Sequence, residues 1–157
     1  MSGFNVEKMF IDAKESIEYF AGKHEKELFY AFSIDGALLC LNSIEKFETC
    51  LKSYQEKYPE HYQNQEDIDD LKYNTGDWEY QGFLDLWDGF DQELYDEHYN
   101  LPFENEDIDY DELDPLFKNT AYHKAMSTLL EKLIDSKVFD LLNKTPDFKV
   151  FLSEHNY

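Results

Sequence analysis

Carboxylates dominate the chemistry open to this chain. Its 157 residues include 35 acids, 14 lysines, five histidines and two cysteines, with no arginine and a formal charge of −21. Paired carboxylates can act as general acid and base or hold a divalent cation, but 35 acids make any one pair unselective, so spacing must decide. Asn105, Asp107, Asp109 and Asp111 alternate like the first four ligands of a calcium-binding loop. The place that needs glycine holds Tyr110, and the place that needs a bidentate glutamate holds Leu116. Starting at Asp107 instead puts Glu112 and Lys118 there, so both registers fail. His24, His61, His98, His123 and His155 show no metal-ligand spacing and read as surface residues. Cys40, in an apolar run, reads as a small buried hydrophobe, and Cys50 lies beside a helical stripe; neither has the basic neighbours that activate a thiol. A phosphate-cradling glycine loop and a Gly-x-Ser-x-Gly elbow are both missing. The residues therefore predict no catalytic site, no metal and no cofactor.

The placement of the charge is more informative than its amount. Residues 60–114 hold 20 acids against the single Lys72, a charge of −19, whereas the rest of the chain holds 15 acids and 13 lysines. Concentrated like charge repels itself and costs stability, so a basic protein partner or bound cations should offset it. Aromatic residues interleave with these acids, and tyrosine and tryptophan are residue types that anchor protein interfaces. The candidate partner-binding residues are Asp67, Asp69, Asp70, Asp77, Trp78, Glu79, Asp85, Trp87, Asp88, Asp91, Glu104, Glu106, Asp107, Asp109 and Asp111. With arginine absent and the field strongly negative, direct nucleic-acid binding is excluded as an expectation.

These groups need a scaffold. Val6, Met9, Phe10, Ala13, Ile17 and Phe20 recur at helical spacing and predict a helix over 5–22, stopped by Gly22. Two apolar runs flank Asp35-Gly36 and predict a hairpin. Asn42 and Glu45 are spaced as a cap and its return partner for a helix over 43–57. A short helix over 66–73, turn chemistry at Asn74-Thr75-Gly76-Asp77, and an edge strand at 78–80 follow. Phe83, Trp87, Phe90 and Leu94 predict a helix over 84–95. Residues 101–114 read as irregular, with Pro115 opening the next element. A long helix to Lys137 and a last strand through Phe148, Val150 and Leu152 complete the chain. The expected fold is one α+β domain over 1–157: a small, mostly antiparallel sheet of the hairpin plus the C-terminal strand, packed by helices.

Length and composition agree with one folded domain: 42% hydrophobic and 17% aromatic residues exclude a disordered acidic tail. An apolar run near membrane-spanning length is lacking, the N-terminus carries no secretory pattern, and two cysteines make no disulfide framework, so a reduced cytoplasm is the expected compartment.

Two stretches carry a family resemblance: Leu28-Phe29-Tyr30-Ala31-Phe32-Ser33-Ile34-Asp35, and Tyr73-Asn74-Thr75-Gly76-Asp77-Trp78-Glu79-Tyr80-Gln81-Gly82-Phe83. With the late helix and terminal strand, the chain resembles a bacterial family of small domains of unknown function that is similar to immunity proteins of polymorphic-toxin and contact-dependent growth inhibition systems. The resemblance implies a non-enzymatic protein that binds and neutralises a cognate toxin. A basic, nuclease-type toxin would match the acidic segment, with carboxylates meeting toxin lysines and arginines while Trp78 and Trp87 supply contact area. Two other readings stay open: an acidic adaptor or nucleic-acid mimic that inhibits a DNA- or RNA-binding enzyme, and a metal-assisted hydrolase.

Overall fold

The computed structural model describes residues 3–104, 107 and 109–153. Helix α1 (Val6–Lys23) begins where the Asn5 side chain accepts from the Lys8 amide, satisfying one of the free donors of a helix start. Its stripe of Met9, Ala13, Ile17 and Phe20 is buried. Gly22 does not stop it; the helix runs through Lys23, and His24 caps it.

Strands β1 (Phe29–Asp35) and β2 (Leu38–Ser43) form the hairpin. Gly36 takes φ +60° at the first position of the two-residue turn, which is what the tight connection needs. Every residue of β1 is buried, as suits a central strand. A bulge between Phe29 and Ala31 shifts the alternation, so Phe29, Phe32 and Ile34 all face one core while Tyr30 and Ala31 face the other. Helix α2 (Ile44–Lys57) is capped by Ser43, whose hydroxyl accepts from the Lys46 amide, and not by Asn42. Asn42 lies buried in β2, donating to the Tyr30 hydroxyl and accepting from the Glu79 amide. Glu45 accepts from the Leu28 amide instead of returning to a cap.

Helix α3 (Gln65–Lys72) and a 3-10 turn at Thr75–Asp77 lead to β3 (Tyr80–Asp85), an edge strand that starts two residues later than the sequence predicts. Phe83 and Leu84 belong to this strand, so the helix expected from residue 84 is absent. The chain then passes Gly89, held at φ +101° with its carbonyl accepting from the Asn5 amide. Asp91 caps α4 (Gln92–Tyr99) by accepting from the Leu94 amide. The apparent helical spacing of Phe83, Trp87, Phe90 and Leu94 came from a strand, a loop and a helix placed in succession.

Helices α5 (Leu101–Glu104) and α6 (Tyr110–Lys118) replace most of the irregular stretch expected over 101–114. Pro115 lies inside α6 and does not open it. Asp111 and Glu112 occupy the first turn, where negative charge favours a helix start, and proline costs one bond near the end. Helix α7 (Ala121–Ser136) buries Tyr122, Met126, Leu129 and Leu133 and ends with Lys137 in the left-handed conformation. Strand β4 (Lys144–Leu152) closes the sheet.

The sheet order is β3-β2-β1-β4, with β1 antiparallel to β2 and parallel to β4. The fold is α+β as expected, and the sheet is mixed. The C-terminal strand runs with β1 because the chain re-enters beside Phe29, which pairs with Lys144. Helices α1 and α7 cover one face and α2 with α3 the other, giving two apolar cores. No described helix is long and apolar enough to cross a membrane.

Candidate functional site

The acidic segment divides between the two faces of the sheet: α3 packs beside α2, and α4 and α6 pack beside α7. Asp67, Asp69 and Asp70 lie on α3, on the side of α2, with Asp77 and Glu79 in the connection to β3. Asp85 ends β3, and Asp88 and Asp91 lead into α4. Glu104, Asp107, Asp109 and Asp111 belong to the α5–α6 region, beside α4 and α7. Glu106 lies outside the described residues, as do Asn105 of the calcium-like spacing and His155.

All of these described carboxylates are exposed except Asp67, Asp77 and Asp91, which are half-buried. Each of the three has a local partner. Asp67 accepts from the Asn64 side chain. Asp77 accepts from the Tyr54 hydroxyl and from Asn74. Asp91 accepts from the Gly3 and Leu94 amides and is a structural cap. Lysines of the scaffold reach this region at Lys8–Asp88, 3.6 Å, and at Lys118–Asp114, 2.8 Å, both well exposed and hence weak.

The two tryptophans part company. Trp78 is 4% exposed, donates its indole N–H to the Lys72 carbonyl, and packs edge-on against Tyr30 and Phe151. It is a core residue and offers no area to a docking protein. Trp87 is 55% exposed. It begins a succession of ring contacts through Phe90, Tyr95 and Tyr99 to Phe103, with centroids 5.1 to 6.1 Å apart. Phe90 and Tyr95 root this ladder in the α1/α7 core, while Trp87, Tyr99 and Phe103 surface among the acids of α4 and α5. The candidate residues read from the sequence included Trp87 but not Tyr99 or Phe103, although Tyr95, Tyr99 and Phe103 at four-residue spacing carried the signal.

His98 is buried, against the surface reading of every histidine. Its ring shares a hydrogen bond with the Thr120 hydroxyl and lies between Phe117 and Tyr122, joining α4 to the start of α7. Cys40 is buried as expected, and burial pushes its thiol up to about 11, so it stays protonated. Burial raises Cys50 too. Among the described residues, no three of His, Cys, Asp and Glu converge as a metal would require. The side chains assemble an acidic flank with an aromatic spine. No family model, curated protein or solved structure matches this chain.

Proposed function

We propose that the protein is a binding protein that takes a basic protein partner on the α4–α6 flank, and that it serves as an immunity protein neutralising a cognate toxin of nuclease type. The observation that carries this reading is the exposed aromatic ladder of Trp87, Tyr99 and Phe103 among the exposed carboxylates Asp85, Asp88, Glu93, Asp96, Glu97 and Glu104. Carboxylates steer a cationic partner from a distance, and the rings supply the desolvated area that holds it. A lysine- or arginine-lined cleft that grips phosphates has the complementary charge and would be closed to its substrate. The toxin assignment draws on the resemblance in residues 28–35 and 73–83.

The test mixes the purified chain with the toxin domain encoded beside its gene. A tight complex that silences the toxin is expected, with association slowed about tenfold or more between low and high salt. Trp87→Ala with Phe103→Ala should weaken it about tenfold or more while the fold survives. Lack of a complex at low salt, or affinity indifferent to salt, counts against the reading. Equal binding to unrelated basic nucleases would instead identify a nucleic-acid mimic.

A further inference from the structure

The end of α2 builds a second feature, on the other face of the sheet from the α4–α6 flank. Tyr54, Tyr58 and Tyr62 stand at four-residue spacing, and with Lys57, His61 and Asp77 they line an open cleft of about 510 Å³. The Tyr54 ring lies 6.4 Å from Tyr58 at 75° and 5.4 Å from Tyr62 at 41°, so the three rings form walls rather than a stack. Tyr62 is held at φ +61°, an uncommon backbone state for a bulky residue, and the Gln55 side chain donates to its carbonyl at 2.8 Å. That state keeps the third ring turned back toward the helix.

Three sources of negative potential meet in this cleft. The ring faces carry quadrupoles that attract cations. The Asp77 carboxylate adds a full charge, accepting from the Tyr54 hydroxyl; that bond, with burial behind it, pushes the Tyr54 phenol up to about 12 and keeps it a donor. The last carbonyls of α2 contribute the negative end of the helix. The chain already uses one wall this way: the Lys57 ammonium sits 5.6 Å over the Tyr58 ring.

We propose that this cleft is a cage for an organic cation of the alkylammonium or guanidinium type, with Tyr54, Tyr58 and Tyr62 as walls and Asp77 as counter-charge. Lys57 is an internal competitor that a bound cation displaces from Tyr58. The cleft's open side accepts either a small free cation or the tip of a lysine or arginine side chain. The cage is independent of the acidic flank and can fail without it.

Titration of the full chain with tetramethylammonium and with methylguanidinium, at ionic strength held constant by sodium chloride, tests this by NMR. Saturable shifts are expected at the ring resonances of Tyr54, Tyr58 and Tyr62. Tyr58→Leu, at an exposed position, and Asp77→Asn should each weaken binding about three- to tenfold, and Lys57→Gln should tighten it about threefold. Tighter binding of a Gly-Arg-Gly peptide than of methylguanidinium assigns the ligand to a polypeptide, and equal binding assigns it to a free cation; both support the cage. Shifts no larger than those from sodium chloride alone, or shifts unchanged in Tyr58→Leu and Lys57→Gln, overturn it.

Discussion

Glu27 ties three elements together with one carboxylate. It accepts from the Ser43 hydroxyl at 2.8 Å and the Tyr80 hydroxyl at 2.6 Å, and its second contact with a ring is His24 Nδ1 at 3.0 Å. Burial works to raise its pKa, but the bonds from Tyr80, Ser43 and His24 outweigh that and hold it below the usual carboxylate range. The folded state therefore prefers the ionised form. The stability this adds is present above the ordinary glutamate range and is lost as pH falls through the lowered folded value. Glu27→Gln should cost about 1–2 kcal/mol in urea unfolding at pH 7, and the gap from the parent should narrow as the pH falls from the ordinary glutamate range through the lowered folded value. A gap unchanged by acid would show that Glu27 acts through packing alone. The tryptophans offer a sharper contrast at this scale. Trp78→Ala should lose about 3–5 kcal/mol, as for a buried indole, whereas Trp87→Ala should stay within about 0.5 kcal/mol of the parent in the same measurement.

Among the elements, the connection from β3 to α4 depends on Gly89. A Cβ there would sit 3.1 Å from the Asn5 carbonyl oxygen and 3.2 Å from Met9 Cγ, at a φ that other residues rarely adopt. Gly89→Ala should lower stability by about 1–3 kcal/mol and move the midpoint of thermal unfolding down by several degrees. An unchanged midpoint would mean that the start of α1 yields without cost. Local chemistry made much of the fold readable in advance. The Asp35-Gly36 turn, the stripe of α1, the stripe of α7 and the alternation of β4 each declared an element through its own period. Where two elements shared one pattern, reading failed: Phe83 to Leu94 kept helical spacing across a strand, a loop and a helix. Adjacent Asn42 and Ser43 could each cap a helix, and the Tyr30 hydroxyl and the Glu79 amide, both distant in sequence, engage Asn42 in the strand. The parallel pairing of β4 was closed to inspection because direction depends on where α7 delivers the chain. For the site, the charge segment was legible; the burial of Trp78 and the tyrosine cleft depend on tertiary packing against Tyr30, Phe151 and Asp77.

At the scale of the molecule, the charge of −21 is carried almost wholly by one arc of chain, residues 60–114, whose described elements lie on both faces of the sheet. Exposed carboxylates along α3, α4 and α6 repel one another across this arc, and added salt screens that repulsion. Raising sodium chloride from about 10 to 500 mM should lift the unfolding temperature by several degrees, the opposite of what a protein held by surface ion pairs would show. A flat or falling response would mean that the arc is already balanced internally. The same screening should weaken a basic partner's approach, so stability and association move in opposite directions with ionic strength.

The position of β1 between β2 and β4 has a consequence for how the chain is made. One flank of β1 is satisfied within a few residues by the hairpin, but the other waits for β4, which lies more than a hundred residues later. While α2 through α7 leave the ribosome, seven residues destined for the interior present an open row of amides and carbonyls. Such an edge is a template for aggregation, and its late closure makes folding slow, since a long loop must be ordered before the pairing is gained. The strongly anionic middle emerges in just that interval. Like charge on that segment opposes the approach of a second copy while the β1 edge is still open.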